Sequence, residues 1–424
     1  MLLVVNSVPA SEAAAPLHEV PEYASLVARF GTVVSLNDLI APEHPFGWSP
    51  AADTHYARLA AAQLLTACGV ADGEPHTLWV ESIQGVASHS LARVLDRAEI
   101  NVYSDGLMTY GPTRIDLAQR IGDRIRGVHH LDLVPGQSPF VLREFGPQYR
   151  SFPVEAFLRT LRETGGGSPS PNPGPVSLVL GQYLSDLDLL TPEQDAALLQ
   201  RMIAVALEAE PDRPVLVRPH PRAAVRDVDS IVRGFAGSGH EVRLAPPAGL
   251  VETLYTDLDV RLVVSCFSTG LFTARALGIR TIAVGAREVL AGLEPYQNSN
   301  RVAVVLADLL NESAALDGGP IRSAETHPGL VELVVAMTSL SMQPGVLEQL
   351  VGVHDRRVIA LPAEARAVLR RYVPADRLAG IVPGLGPAPV GAAQRLKRTV
   401  RRSAAARVLW RRARGAWTGL RAAG

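Results

Sequence analysis

Cysteine is nearly absent. Cys68 and Cys266 are the only two in 424 residues, they lie far apart, and no metal-ligand spacing includes them. That excludes a disulfide framework and points to a reducing, cytoplasmic compartment. Lysine is scarcer still: Lys397 stands alone, so arginine carries nearly all the positive charge. Long apolar runs are missing too. The longest are of strand length, so no membrane-spanning helix is expected. The opening M-L-L-V-V-N-S lacks the basic flank and full apolar stretch of a secretion signal and reads as a first strand. There is no G-x-x-x-x-G-K-[ST], G-x-G-x-x-G or G-x-S-x-G, which argues against P-loop NTPases, dinucleotide enzymes and α/β-hydrolases. Basic residues are not interleaved with aromatics, so nucleic acid is not an expected partner.

Acid is missing from the end of the chain. After Asp376 there is no aspartate or glutamate, while residues 377–424 hold ten arginines and Lys397. That stretch carries +11 and leaves −12 on the remainder. An acidic body with a basic tail points to an anionic surface as partner. Leu396, Val400, Trp410 and Trp417 are interspersed among these cations. Residues 385–424 therefore read as a segment lying on an anionic membrane surface, with a solvated basic tail as the alternative.

What is present is the composition of a globular protein, 47% apolar and 20% charged, long enough for two domains. Strands expected at 2–6, 32–36, 77–80, 100–103 and 128–133 alternate with helices at 19–29, 53–68, 86–97, 114–126 and 153–164. The run G-G-G-S-P-S-P-N-P-G-P at 165–175 cannot build a core and reads as a linker. Alternation then restarts, with strands at 176–180, 215–217, 262–265, 281–284 and 302–305 and helices at 192–210, 228–235 and 269–277. Thr191, Pro192 and Gln194 spell a capping box with proline at the first helical position. Helices are also expected at 344–352 and 362–372. The expected class is α/β: two Rossmann-like domains, 1–164 and 176–372, facing across a cleft, followed by the basic tail 373–424.

Several strand ends carry candidate chemistry. In P-V-L-V-R-P-H-P-R, 214–222, a short buried strand stops at two prolines that bracket His220. Pro219 and Pro221 stiffen the loop, and Arg218 and Arg222 flank the imidazole. This arrangement suits an anion such as phosphate; the alternative is a proline-rich turn with a solvated histidine. The strand ending at Ser265 runs into a helix opening near Ser268 and Thr269, where unpaired amides and hydroxyls can hold a phosphate or the hydroxyls can simply cap the helix. Gly181 ends another strand where a ligand can approach the backbone closely. Asp105, at a strand end before Gly106, is a candidate general base or a turn residue, and Glu81 is a second carboxylate at that sheet edge. Asp186/Asp188 and Asp257/Asp259 resemble D-x-D pairs, but such pairs are usually solvated, and no metal is expected.

Taken in order, Y-S-D-G (103–106), L-G-Q-Y-L-S (180–185), R-P-H-P (218–221) and S-C-F-S-T-G (265–270) resemble the motifs of bacterial sialyltransferases, in particular the α-2,8-polysialyltransferase-like family. The resemblance covers roughly residues 1–340. It implies a GT-B fold and metal-independent, inverting transfer of a nonulosonic acid from a CMP-activated donor to a glycan acceptor, in some cases one built on lipid. No cofactor is implied. His220 and Pro221 match the His-Pro motif, whose histidine binds the phosphate and acts as acid, with Arg218 beside it. Ser265, Ser268 and Thr269 match the serine motif that holds the same phosphate. Gly181 and Gln182 belong to the substrate-binding set. Asp105 and Gly106 match the second half of the acidic motif. Its first position is Ser104 here, which leaves Asp105 and Glu81 as the carboxylates available to serve as base.

Overall fold

The computed structural model describes residues 1–6, 17–19, 21–71, 73–104, 106–164, 174–220, 223, 225–246, 250–294, 298, 300–324 and 363–373. Asp105, Pro221 and Arg222, most of the 165–175 linker, the helix expected at 344–352 and the basic tail lie outside them. Residues 1–293 and 299–334 form one compact unit; residues 294–298 and 335–424 form a second, in which Ala363–Tyr372 is helical.

In the first unit the chain runs β1 (Leu2–Val4), α1 (Ala24–Val27), β2 (Val33–Ser35), α2 (Leu36–Ile40), α3 (His55–Ala67), β3 (Thr77–Glu81), α4 (Val86–Val94) and β4 (Glu99–Ser104). A 3-10 turn (Leu107–Tyr110) leads to α5 (Gln119–Gly122), β5 (Ile125–Leu131), β6 (Gln148–Phe152) and α6 (Val154–Thr164). Next come β7 (Pro175–Leu180), α7 (Pro192–Ala209), β8 (Val215–Arg218), α8 (Val225–Arg233), β9 (Val242–Leu244), α9 (Val251–Asp257) and β10 (Asp259–Ser265). The last elements are α10 (Thr269–Ala276), β11 (Arg280–Val284), α11 (Ala286–Gly292), α12 (Asn300–Leu310) and β12 (Glu312–Ala314).

These strands make three parallel sheets: β1-β2, β3-β4-β5-β6 and β12-β11-β10-β7-β8-β9. Counted from β7, the largest sheet has the strand order 3-2-1-4-5-6 of a Rossmann fold, with its direction of winding reversing between β7 and β10. Its central strands are buried almost throughout, which explains why V-S-L-V-L, V-L-V and L-V-V-S read as nearly continuous apolar runs, with Ser177 and Ser265 the polar exceptions. The capping box forms as expected: Gln194 N–H donates to Thr191 Oγ1, and Gln194 Oε1 accepts from Thr191 N–H.

The four-stranded sheet packs Val80, Ile100, Val102 and Val128 against Ala92 of α4, Ile121 of α5 and the Val141–Leu142 segment. With the six-stranded sheet it makes a mixed α/β architecture of parallel sheets. Three local expectations are corrected. Residues 302–305 are helix, not strand: V-A-V-V-L sits inside α12, every residue of which from Arg301 on is buried, so the run of β-branched residues reflects all-round burial. Of the helix expected at 114–126 only Gln119–Gly122 forms, because tertiary partners claim the preceding segment: Arg114 N–H bonds Gln84 Oε1, and Thr113 Oγ1 accepts from Leu142 N–H. The helix expected at 19–29 is broken into 3-10 turns and the single-turn α1.

Candidate active site

The carboxyl ends of β8, β7 and β10 lie side by side, and the switch point between β7 and β10 is where open α/β sheets bind ligands. Three loops leave there and are fastened to one another. Gly181 N–H donates to the Arg218 carbonyl at 2.9 Å. A Cβ on Gly181 would stand 3.3 Å from that oxygen and 3.7 Å from His220 N, so a side chain would crowd the histidine loop. Ser265 is fully buried, and its hydroxyl donates to the Leu180 carbonyl at 2.9 Å. Gln182 Oε1 accepts from Phe267 N–H at 3.1 Å. Ser265 and Gln182 therefore brace the site: the one hydroxyl proton of Ser265 is already committed to a backbone carbonyl.

His220 follows β8 on a half-buried loop. The Tyr183 ring lies against its imidazole, centroids 3.9 Å apart and planes at 32°. Sequence reasoning does not single out Tyr183, although it follows Gly181 and Gln182 directly. Burial lowers the pKa of the Arg218 guanidinium, with Tyr23 acting in the opposite direction.

Helix α10 opens at the end of β10. Ser268 is its N-cap, accepting from Gly270 N–H at 3.2 Å. Its first turn is seated tightly: a Cβ on Gly270 would meet Leu180 Cδ1 at 2.6 Å and the Tyr255 hydroxyl at 2.8 Å, and that hydroxyl donates to the Gly270 carbonyl. Thr269 Oγ1 reaches the 3-10 turn that follows β4 and accepts from Leu107 N–H at 3.4 Å; a Cβ on Gly106 would stand 3.4 Å from the same oxygen. The segment after β4 thus abuts the first turn of α10, bringing the Y-S-D-G and S-C-F-S-T-G motifs together.

On the β4 side, the Ser104 and Thr109 hydroxyls are hydrogen-bonded to each other. Tyr110 anchors the 3-10 turn: its buried hydroxyl, with a pKa pushed up to about 12 chiefly by desolvation, accepts from Leu133 and Val134 N–H. His130 is paired in register with Ser104, and its ring meets Tyr110 edge-on. Glu81 ends β3 in register with Tyr103, one strand from the Ser104 end. Of the D-x-D pairs, Asp259 is ion-paired with Arg261 at 2.6 Å. Among the described residues no three His, Cys, Asp or Glu side chains gather to hold a metal, and no helix is long and apolar enough to cross a membrane.

Residues 5–285 match the family described as Alpha-2,8-polysialyltransferase (POLYST). This chain belongs to that family. Glycosyltransferase activity of the sialyltransferase type follows from membership, with a nucleotide-sugar donor and a glycan acceptor. Among solved structures, the chain is similar to MurG of Acinetobacter baumannii at 10% identity and a TM-score of 0.30, over 77% of this chain and 76% of that one. A second is accessory secretory protein 1, 2 and 3 in Streptococcus pneumoniae, at 12% identity and a TM-score of 0.28, over 74% of this chain and 58% of that one. No curated protein sequence matches.

Proposed function

We propose that this polysialyltransferase-family chain transfers a nonulosonic acid from a CMP-activated donor to a glycan acceptor with inversion at the anomeric carbon. The observation that carries the reading is the meeting of the 106–107 segment with Thr269, one strand across the switch point from the Gly181 loop and two from the His220 loop. Two strand spacings are about 10 Å, a span suited to a nucleotide phosphate with a sugar beyond it. The phosphate would sit between the first turn of α10 and the Arg218–His220 loop, where amide dipoles, guanidinium and imidazole favour negative charge. The acceptor oxygen attacks the anomeric carbon as the carbon–oxygen bond to the phosphate breaks. The acceptor proton passes to a carboxylate on the β4 side, and His220 donates a proton to the departing phosphate. Asp105 is the first candidate base, with Glu81 at the same sheet edge as the second.

The test pairs calorimetry with turnover. CMP is expected to bind in preference to UDP and GDP, and CMP-nonulosonates to be consumed. Asp105→Asn should abolish transfer while leaving CMP affinity nearly unchanged; if it does not, Glu81→Gln is the variant to measure. CMP-selective binding with no turnover of any donor would instead make the chain a nucleotide-sugar binder that lost its base at Ser104. Preference for UDP or GDP would assign another nucleotide sugar. The acidic body and basic tail support work at the inner face of a membrane, on an acceptor carried there.

A further inference from the structure

Parallel sheets are ordinarily covered on both faces, and their strands are correspondingly aliphatic. Among the described residues the four-stranded sheet departs from this. Its inner face carries Val80, Val102 and Val128, all buried. On its other face two rows cross the strands in register, Trp79–Asn101–Gly127–Gln148 and Glu81–Tyr103–His129–Arg150. Neither row contains an aliphatic side chain. Trp79 is 54% exposed and Tyr103 44% exposed. A face meant for a helix or a second copy of the chain would present Val, Ile or Leu; this one presents two aromatic rings among amide, imidazole and guanidinium groups, with the Glu81 carboxylate at one end.

These groups are arranged rather than scattered. The Trp79 ring lies 4.6 Å from that of His129, and His129 Nε2 is 3.3 Å from Asn101 Oδ1. Gly127 makes room for them: a Cβ there would come within 2.8 Å of Asn101 Oδ1 and 3.0 Å of His129 Nε2. At the far end of the second row, exposed Arg150 bonds Gln148 and faces His129. Rigid aromatic faces beside fixed polar groups match a pyranose, whose C–H faces stack on rings while hydroxyls and carboxylates take hydrogen bonds. The face is also continuous with the reaction site. Tyr103 immediately precedes Ser104, and three residues of chain, about 10 Å at most, separate it from Gly106 at Thr269.

We propose that this open sheet face is a subsite for the non-reacting part of an acidic oligosaccharide acceptor, with Trp79 as the stacking platform and Arg150 as the carboxylate partner. The proposal rests on the glycosyl-transfer reading of the strand-end site and adds to it where a long acceptor lies.

The test uses the full chain with an α-2,8-linked acidic disaccharide and octasaccharide as acceptors. Trp79→Ala and Arg150→Ala should each raise the octasaccharide KM about tenfold. The disaccharide KM and donor hydrolysis should stay as in the unaltered chain. A neutral oligosaccharide of equal length should show no effect from Arg150→Ala. An unchanged octasaccharide KM, or one that rises together with the disaccharide KM, would overturn the subsite. Failure of the underlying reading looks different: the unaltered chain would consume no donor. In that case direct titration of the octasaccharide by tryptophan fluorescence still decides the subsite, because the response must be lost in Trp79→Ala.

Discussion

Leu107 N–H donates to Thr269 Oγ1 across 162 residues of sequence, joining the first turn beyond one parallel sheet to the first helical turn beyond another. The two residues stand in different motifs, and the bond keeps those motifs in register.

Thr269→Val tests that bond. The isosteric change leaves a half-buried amide without its acceptor, at a cost of about 1 kcal/mol. It also removes a hydroxyl from the first turn of α10. Transfer is expected to fall about tenfold, and Thr269→Ser to restore it. Transfer rates with CMP titrations check this; a valine variant equal to the unaltered chain would show that the contact is incidental.

The Tyr183 ring rests against the imidazole of His220, which makes it the positioning residue for the acid proposed above. His220→Ala should reduce turnover by about 10²–10⁴-fold, the usual contribution of a general acid. Tyr183→Phe keeps the ring against the imidazole and should keep the pH profile of kcat. Tyr183→Leu removes the stack and should shift that profile as well as lower the rate. A profile unmoved in the leucine variant would mean that the tyrosine merely fills space.

Stability should depend on pH through His130, which is buried, and through His89 and His129, which are half-buried. Burial holds the pKa of His130, His89 and His129 below the ordinary value of 6.5, with Arg93 adding to the effect at His89 and Arg150 at His129. For His130 the Leu131 carbonyl and Asp132 oppose it. Because these folded-state values are depressed, the unfolded chain takes up protons first as pH falls. Stability should therefore be full above about pH 6.5 and decline as pH drops through that value, until the folded groups protonate too. Melting temperatures measured across this range should fall less steeply in His130→Asn than in the unaltered chain; equal slopes would exclude His130 as a contributor.

The basic tail offers a test independent of the site. Deleting residues 385–424 should leave CMP binding intact and abolish co-sedimentation with anionic vesicles. Binding by the full chain should weaken steeply with salt, since charge drives it. Full-length protein that ignores such vesicles at low salt would refute the membrane reading.

Much of the fold is legible in the amino-acid sequence itself. The strands that build the switch point are nearly continuous apolar runs ending in Gly181, Arg218 and Ser265, and the Thr191 cap announces α7. Strand order is not legible, because pairing depends on long-range register that no local pattern carries. The bracing roles of Ser265 and Gln182 are hidden for the same reason: their partners lie 85 residues away. Residues 302–305 mislead because β-branched side chains mark burial as readily as strand. The open sheet face does leave a trace in the alternation of Trp79 with Val80 and of Tyr103 with Val102, a period of two with rings on the outward side.

Helix α12 packs against the Leu107–Tyr110 turn, and a methyl group on Gly111 would touch Val302 at 3.9 Å. The family match ends at residue 285, before this helix begins. A fragment cut at that boundary would keep every motif yet lose the wall behind the acidic one, so the limit of recognisable ancestry is not a limit of folding. A graft of a relative's second half is therefore expected to fold only with an α12 whose surface fits the Leu107–Tyr110 turn it must meet.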